Sequence, residues 1–171
     1  AHLKTQVATC IEGVTMNMTH LHWPPKNDYL YPYIAREYKT GSKLGWYYFL
    51  TGNISFPKHL FLSYNGFDES FKNYGWEDLE LGYRMSLDKV PLVFLKEAIN
   101  YHYHVVTQDE EITRNRSKGE SAQLLLNKHP QLKWFLGGNP LSLWIRRRID
   151  PEGIIVKFVF NSLYGSSGAV R

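Results

Sequence analysis

The sequence is poor in cysteine and in long apolar runs, and it has no internal repeat or low-complexity tract. Cys10 is its sole cysteine, so no internal disulfide can form, and a lone cysteine in a strand-like run is more often core filler than a nucleophile. No run approaches the roughly 18 apolar residues of a membrane-spanning helix, and the first residues lack the pattern of a secretory signal peptide. We therefore expect a cytoplasmic protein.

The composition is that of a chain that folds. The 171 residues are 43% hydrophobic and 15% aromatic, which provides enough apolar surface for a packed core and excludes a disordered chain. The formal net charge of +4 favours anionic partners such as nucleotide diphosphates or acidic lipid head groups. No basic stripe interleaves with aromatic residues, so we expect no nucleic-acid partner.

Hydrophobic periodicity predicts a mixture of strands and helices, hence an α/β fold with a short mixed sheet and flanking helices. The predicted strands are Gln6–Thr15, Gly45–Leu50, Leu92–Leu95 and Ile99–His104. The predicted helices are Pro57–Tyr64, a segment that begins at Glu77, and Gln108–His129. In the first strand, Gly13 indicates a bulge or the close approach of another part of the chain.

Residues 66–85, which read GFDESFKNYGWEDLELGYRM, concentrate more chemistry than any other stretch. Glu77, Asp78 and Glu80 fall at the head of a predicted helix, where carboxylates meet the positive end of the helix dipole. The apolar residues around them recur at four-residue spacing and predict one buried stripe: Leu79, Tyr83 and Leu87. The simplest interpretation is an ordinary acidic first turn in which Glu80 pairs with Arg84. The aromatic neighbours favour a ligand site instead.

Aromatic rings beside carboxylates are suited to holding sugars. Tyr74 and Trp76 bracket a glycine immediately before the acids and offer flat apolar faces to a sugar ring. Upstream, Gly52 would let the backbone pass close to a ligand, and Asn53 offers donors and acceptors to sugar hydroxyls. A turn of this kind is weak evidence alone, and it gains weight only beside the acidic segment.

Four segments together resemble the catalytic domain of family-2 glycosyltransferases that have a galactosyltransferase-like C-terminal part. Residues 66–85 fit G-F-D-E-x-F-x-x-Y-G-W-E-D-x-E-L-G-Y-R, and Phe49–Pro57 (FLTGNISFP) fits F-x-T-G-N-x-S-x-P. Glu97–His104 (EAINYHYH) fits E-A-x-x-Y-H-x-H, and residues 114–130 end on the K-H-P of the same pattern. The resemblance covers roughly residues 1–135 and implies a GT-A-like nucleotide-diphospho-sugar transferase fold.

The resemblance also implies a part that this sequence does not contain. In the family, a nucleotide-binding βαβ half that ends in D-x-D and carries the metal precedes this region, and no D-x-D occurs here. We therefore expect the C-terminal portion of a GT-A-like fold, with the N-terminal nucleotide-binding half absent. The isolated chain would then lack the nucleoside pocket and be inactive or poorly active alone.

The same resemblance implies a reaction and a set of roles. The reaction is transfer of a sugar, with inversion, from a nucleotide-diphosphate donor to a hydroxyl of a carbohydrate or glycoconjugate acceptor. Asp78 would be the general base that removes the proton of the acceptor hydroxyl. Glu77 would bind sugar hydroxyls, Trp76 would stack on a sugar ring, and Gly52 and Asn53 would lie under the donor sugar.

Two histidines near the end of the last predicted strand suggest a metal site. His102 and His104 are two residues apart, so their side chains share one face of the strand, although such a pair alone is weak evidence for metal ligands. The resemblance implies a divalent cation, Mn²⁺ or Mg²⁺, that holds the donor diphosphate and has one late-strand histidine as a ligand. We prefer His102, with His104 as an alternative ligand or as a partner that orients it.

Two basic segments follow the candidate site. Arg114, Arg116 and Lys118 either face the donor diphosphate or form a solvated helix face. Residues 136–171 combine an arginine cluster with an amphipathic segment, so this tail either contacts an acidic membrane surface or packs onto the catalytic half, residues 1–135.

Two other functions would use the same residues. A carbohydrate-binding module would use Tyr74 and Trp76 without a base, and its sugar affinity would not depend on metal or nucleotide. A hydrolase acting through Glu77 and Asp78 is less favoured, because adjacent helical residues diverge by about 100° and cannot flank one bond. We favour the glycosyltransferase and keep the module as the alternative.

Overall fold

The computed structural model describes residues 8–18, 33–103 and 106–136, together with Trp144 and Arg148. The described residues fall into two compact units, one ending at Ala122 and the other beginning at Gln123. The elements in chain order are β1 (Cys10–Met18), α1 (Tyr33–Glu37), β2 (Ile54–Ser55), α2 (Lys58–Ser63), α3 (Glu77–Leu87), β3 (Leu92–Tyr103), α4 (Gln108–Lys128) and α5 (Leu132–Phe135). The predicted α/β class is confirmed, whereas the GT-A assignment, the missing half and the domain boundary after residue 135 stay predictions.

In the described ranges, the unit that ends at Ala122 contains a three-stranded mixed sheet. Strand β1 is the middle strand, pairing antiparallel with β2 and parallel with β3. Side chains alternate across a strand, and the even-numbered side chains of β1 are buried. Apolar residues account for most of this buried row: Cys10, Val14, Met16 and Met18. The strand predicted at Gln6–Thr15 is confirmed from Cys10 onward and extends further to Met18, whereas Ala8 and Thr9 lie outside it.

The predicted irregularity at Gly13 is confirmed. The pairing of β1 with β3 shifts register between Glu12 and Val14. A Cβ atom on Gly13 would lie 2.4 Å from the carbonyl oxygen of Ala98 and 2.5 Å from Nδ2 of Asn53, which is too close for any side chain. Gly13 therefore marks a bulge at which another side chain enters between two strands.

Among the described residues of the unit that ends at Ala122, the buried apolar side chains form two clusters that include residues of the sheet. The first contains Cys10, Phe49, Leu60, Leu81, Met85 and Leu92, and the second contains Val14, Met16, Ala35 and Phe94. Burial raises the pKa of the Cys10 thiol to about 12, which keeps it protonated and suits core filler better than a nucleophile.

The strand predicted at Gly45–Leu50 is wrong, because Trp46–Tyr48 form a 3-10 helix. The aromatic side chains of this segment need to point in different directions. Trp46 packs edge-on against Tyr83, with ring centroids 5.3 Å apart, whereas Phe49 is buried in the core. Successive side chains of a 3-10 helix are rotated by roughly 120° about its axis, which lets them point in these different directions. Those of a strand alternate between two opposite faces and could not do so.

The two strands predicted at Leu92–Leu95 and Ile99–His104 are one strand, β3, which is described as far as Tyr103. The predicted interruption is present as an irregularity within it. Glu12 of β1 pairs with Phe94 of β3, and Val14 pairs with Ile99. The extra residues between these two pairs therefore lie on β3. The two strands stay paired on both sides of this bulge, so the interruption does not end β3.

Helix α3 begins at Glu77, as predicted, but its buried face matches the predicted stripe only in part, because Tyr83 is buried, Leu79 is half-buried and Leu87 is not buried. Leu87 is 60% exposed. The buried residues of the helix are Glu80, Leu81, Gly82, Tyr83 and Met85. A Cβ atom on Gly82 would lie 2.4 Å from Cβ of Phe49. The glycine therefore lets the helix pack closely against the 3-10 segment, which turns Leu87 towards solvent.

The predicted pair between Glu80 and Arg84 is confirmed, with Nε of Arg84 2.9 Å from the Glu80 carboxylate oxygens. Glu80 is 2% exposed, and Arg84 also donates to the backbone carbonyls of Tyr64 and Gly66. This pair fixes the loop after α2 onto α3. Glu80 thus has a structural role.

Helices α2 and α4 lie where the sequence predicts them, with α2 beginning after Pro57 and α4 spanning Gln108–Lys128. Within the described residues, none of the helices is long and apolar enough to cross a membrane. Most of residues 136–171 lie outside the described residues, so the amphipathic tail and its membrane contact stay predictions.

Candidate functional site

Asp78 joins two segments that the sequence predicts to share one site. Its Oδ2 atom accepts a hydrogen bond from the backbone N–H of Thr51 at 3.3 Å and lies 3.5 Å from the Thr51 hydroxyl. Its Oδ1 atom accepts from the N–H of Leu79 at 2.8 Å. The turn at residues 51–53 therefore lies against the first turn of α3, and three donors orient the half-buried carboxylate.

The loop that precedes α3 is held by α4. Three hydrogen bonds connect them, from Asn73 to Glu120 (2.9 Å), from Tyr74 to Ser117 (3.0 Å) and from the Trp76 indole N–H to the Lys118 carbonyl (3.0 Å). Gly75 and Trp76 both adopt left-handed backbone conformations, with φ of +91° and +78°. For tryptophan such a conformation costs about 1–3 kcal/mol, so the contacts with α4 stabilise a strained entry into α3.

Glu77 carries a polar atom that the described residues leave unsatisfied. Its Oε2 atom is buried and accepts no hydrogen bond from them. A buried acceptor without a partner costs roughly 1–3 kcal/mol, so such an atom usually has an explanation in ligand or water binding. Glu77 and Asp78 are the first two residues of α3, so this unsatisfied oxygen belongs to the same helical turn as the oriented carboxylate.

Gly52 and Asn53 are both tied to the sheet. Nδ2 of Asn53 donates to the carbonyl oxygen of Val14 on β1 at 3.0 Å and to that of Ala98 on β3 at 2.8 Å. The side chain thus bridges the two strands at the bulge, and both of its N–H groups serve this purpose. The carbonyl of Gly52 accepts from the Asn100 side chain on β3 at 2.6 Å. Their sugar-binding roles stay predictions.

His102 follows Asn100 by two residues on β3, so the two side chains lie on the same face of the strand. It is exposed, and its Nδ1 atom is 3.2 Å from Oδ1 of Asn17, the residue opposite it on β1. If Nδ1 donates this bond, Nε2 is the nitrogen with the lone pair. His104 lies outside the described residues. Among those that are described, no group of three or more His, Cys, Asp or Glu side chains could hold a metal, so the metal site stays a prediction.

The aromatic residues of the loop differ in exposure. Tyr74 is 53% exposed, and the cationic groups of Arg114 and Lys118 lie 5.1 and 5.6 Å from its ring centroid. Trp76 is half-buried. Two of the three basic residues predicted on α4 therefore gather beside Tyr74, where they form a positively charged edge near the start of α3. Stacking of either ring on a sugar stays a prediction.

One acidic residue of the site was not predicted. Glu12 lies in the buried row of β1 and is 3% exposed. Its Oε2 atom accepts one long hydrogen bond, 3.4 Å, from the N–H of Leu50. Burial raises the pKa of Glu12 to about 9; the bond from Leu50 opposes this rise and the charge of Asp78 adds to it. The signal in the sequence was an acid in phase with Cys10, Val14 and Met16 on an otherwise apolar strand face.

Comparison with known proteins adds a family match to this geometry. Residues 32–108 match the family model described as the N-terminal domain of galactosyltransferase. These residues include the turn at 51–53, α3 and β3. The chain is similar to glycosyltransferases. No solved structure matches it significantly.

Two kinds of curated relative illustrate the similarity. Validoxylamine A glucosyltransferase of Streptomyces hygroscopicus subsp. jinggangensis (strain 5008) is 33% identical over 88 residues, which are 51% of this chain and 20% of that glycosyltransferase. Chondroitin synthase of Escherichia coli is 32% identical over 83 residues, 48% of this chain and 12% of that protein. That of Pasteurella multocida (strain Pm70) is 28% identical over 85 residues, 50% of this chain and 9% of that protein.

The chain thus spans a fifth or less of the length of these curated relatives. The matches support a sugar-transfer function for it. They do not test family-2 membership, inversion, or the roles of individual residues, which belong to the proposal that follows.

Proposed function

We propose that this chain supplies the acceptor side and the catalytic base of a glycosyltransferase that transfers a sugar, with inversion, from a nucleotide-diphosphate donor to a hydroxyl acceptor. The observation that carries the proposal is the fixed position of Asp78. Its two oxygens accept hydrogen bonds from Thr51 and Leu79 at the positive end of α3. A base in inverting transfer has to meet one hydroxyl in one direction, and a carboxylate fixed in this way satisfies that need.

Asp78 then acts as the acceptor oxygen attacks the anomeric carbon. The hydroxyl becomes acidic as its bond to carbon forms, so the carboxylate takes the proton during bond formation and not before it. The hydroxyl is already acidic when its proton is transferred, so the carboxylate does not need to be a strong base. It does need to point at the hydroxyl. The unsatisfied Oε2 atom of Glu77 supports a neighbouring role, in which it accepts a hydrogen bond from a sugar hydroxyl.

The residues present fit the predicted divalent cation in one respect. The pairing of Nδ1 of His102 with Asn17 resembles the way in which an oxygen acceptor orients a metal-binding histidine. His102 would hold Mn²⁺ or Mg²⁺, with His104 as the alternative ligand or its partner. When bound, the cation would stabilise the charge of the departing nucleotide diphosphate.

The exposed ring of Tyr74 favours a second candidate, a carbohydrate-binding module without catalysis. Such a module would bind sugars through this ring and the neighbouring Trp76. Its affinity would not change with metal or nucleotide, and it would not need Asp78. The two candidates therefore differ in every measurement that includes a nucleotide sugar.

The experiment uses the complete gene product that carries this chain. A panel of UDP- and GDP-linked hexoses is incubated with Mn²⁺ and a hydroxyl acceptor such as an oligosaccharide mixture, and release of the nucleotide diphosphate is measured. We expect release with at least one donor and a requirement for the cation. Sugar binding without release under any of these conditions would favour the module.

The Asp78→Asn variant tests the base. Loss of a general base costs roughly two to four decades of turnover, with little effect on folding. Asp109→Asn is the matched control, because Asp109 is an exposed acid in the first turn of α4. Turnover of Asp78→Asn close to that of the control would refute the assignment of Asp78.

A further inference from the structure

Glu12 carries a buried carboxyl group near the site that the proposed reaction does not use. Carboxyl side chains are rarely fully buried unless they are paired. Within the described residues Glu12 forms no ion pair, and the strands on either side place uncharged residues opposite it, Ile54 on β2 and Phe94 on β3. Its place in the fold therefore needs a reason other than charge pairing.

The backbone around Leu50 gives that reason. The N–H of Leu50 donates to Glu12, and the N–H of the next residue, Thr51, donates to Asp78. Two consecutive amides of one turn thus bind two carboxyl groups side by side. Asp78 is the charged group that acts on Glu12 electrostatically. Nothing in the turn or in the paired residues of β2 and β3 carries a positive charge to offset a second anion.

A carboxyl group that is buried near another negative charge does not ionise readily. The single bond from Leu50, at 3.4 Å, does not offset the cost of burying an anion, although it does connect Glu12 to the turn. Glu12 is 3% exposed, and burial raises its pKa to about 9, so it keeps its proton at neutral pH. The carboxyl group next to the proposed base is therefore a neutral acid.

We propose that Glu12 is a positioning residue for Asp78, a neutral carboxylic acid that holds the Leu50–Thr51 turn and keeps a second negative charge away from the base. The proposal rests on the proposed function of Asp78. In this arrangement Glu12 exchanges no proton with the substrates. Its ionisation would bury a charge beside Asp78, and the turn would have to open to hydrate it, which would release the Thr51 N–H from Asp78.

The first test is a pH profile of the complete gene product, with nucleotide diphosphate release from the best donor of the panel as the readout. We expect kcat of the wild type to fall above about pH 9, where Glu12 ionises. Glu12→Gln cannot ionise, so its kcat should lack this alkaline limb. Glu12→Ala removes the hydrogen bond to the Leu50 N–H and should lower kcat about tenfold or more. Glu12→Gln keeps an acceptor for this bond, so its kcat should stay close to that of the wild type. An unchanged alkaline limb in Glu12→Gln would overturn the proposal.

The second test needs no activity. A protonated buried carboxyl group gives a carbonyl band in the infrared spectrum, which can be followed as a function of pH. We expect one such band to titrate near pH 9 in the wild type and to be missing in Glu12→Gln. In Asp78→Asn the neighbouring charge is removed, so the midpoint of the band should move to lower pH.

These outcomes separate the two ideas. An active Asp78→Asn variant would refute the role of Asp78 as the general base, and the infrared titration would still show whether Glu12 is protonated in the folded protein. An inactive Asp78→Asn variant whose Glu12 band keeps the wild-type midpoint would refute the coupling proposed here and leave the base intact.

Discussion

Replacing Glu12 with glutamine should stabilise the protein at neutral pH. In the folded state the pKa of Glu12 is raised from 4.5 to about 9, chiefly by burial, whereas in the unfolded chain the exposed side chain keeps its ordinary value. The folded state therefore holds a proton that the unfolded chain has released, so the free energy of unfolding decreases as the pH rises through this window. At pH 7, the 2.5 pH units above 4.5 amount to about 3 kcal/mol, because one unit corresponds to about 1.4 kcal/mol.

Glutamine has the shape of the neutral acid and no proton to lose. The stability gain of Glu12→Gln should therefore reach about 3 kcal/mol at pH 7, disappear below about pH 4.5 and grow towards pH 9. Native-state hydrogen exchange at the amides of β1 measures it, since this method reports the opening of one region even when other parts of a protein unfold separately.

Glu97→Gln is the matched control, because Glu97 is an exposed acid of the sheet whose pKa is lowered by a hydrogen bond from the Thr40 hydroxyl. Its carboxylate is favoured by folding, so the glutamine variant should gain nothing as the pH rises. A Glu12→Gln variant that shows the same stability difference at pH 5, 7 and 9 would refute the reasoning, because it would mean that Glu12 has its ordinary pKa in the folded state.

Three further changes test other parts of the structure. Asn53→Ala removes one hydrogen bond from each of two strand carbonyls and should cost about 1–3 kcal/mol of stability in thermal denaturation; an unchanged melting temperature would contradict the bridging role. Gly13→Ala should destabilise by more than about 1 kcal/mol, and Gly52→Ala, whose added Cβ would be 3.4 Å from its nearest neighbour, should cost less; the reverse order would contradict the bulge geometry. Glu77→Gln should raise the KM of donor or acceptor about tenfold, which steady-state kinetics would show; unchanged constants would mean that its buried oxygen binds water only.

Part of the site could be predicted because it depends on local sequence. The start of α3 at Glu77 follows from an acidic first turn and the helical spacing behind it. The pair of Glu80 with Arg84 follows from their separation by four residues, which fixes their distance on any helix. The bulge at Gly13 follows from a glycine inside an otherwise good strand.

Other features depend on contacts between distant parts of the chain, which local patterns do not contain. Leu87 has the right spacing for the buried face of α3, but the close packing of Gly82 against Phe49 shifts that face, so that Tyr83 is buried and Leu87 is exposed. The aromatic run after Gly45 has the composition of a strand, yet the positions of its partners require a 3-10 helix. Glu12 becomes part of the site only when the turn at Leu50 and the head of α3 meet beside β1.

The bridging role of Asn53 shows how a polar residue in a turn can be interpreted in two ways. Its amide was predicted to meet sugar hydroxyls, and in the structure its N–H groups bind the carbonyls of Val14 and Ala98. The same contacts fix the turn that orients Asp78. Its contribution to the proposed reaction would then pass through the position of that turn, in addition to any contact of its Oδ1 atom with a ligand.

The most direct test of the account is the rate of the sugar-transfer step in Asp78→Asn, measured in single-turnover reactions of the complete gene product with its best donor and acceptor, next to Asp109→Asn. We predict a rate about 10²- to 10⁴-fold below that of the control, with donor binding retained. Equal rates in the two variants would contradict the central claim that the Asp78 carboxylate accepts the proton of the attacking hydroxyl.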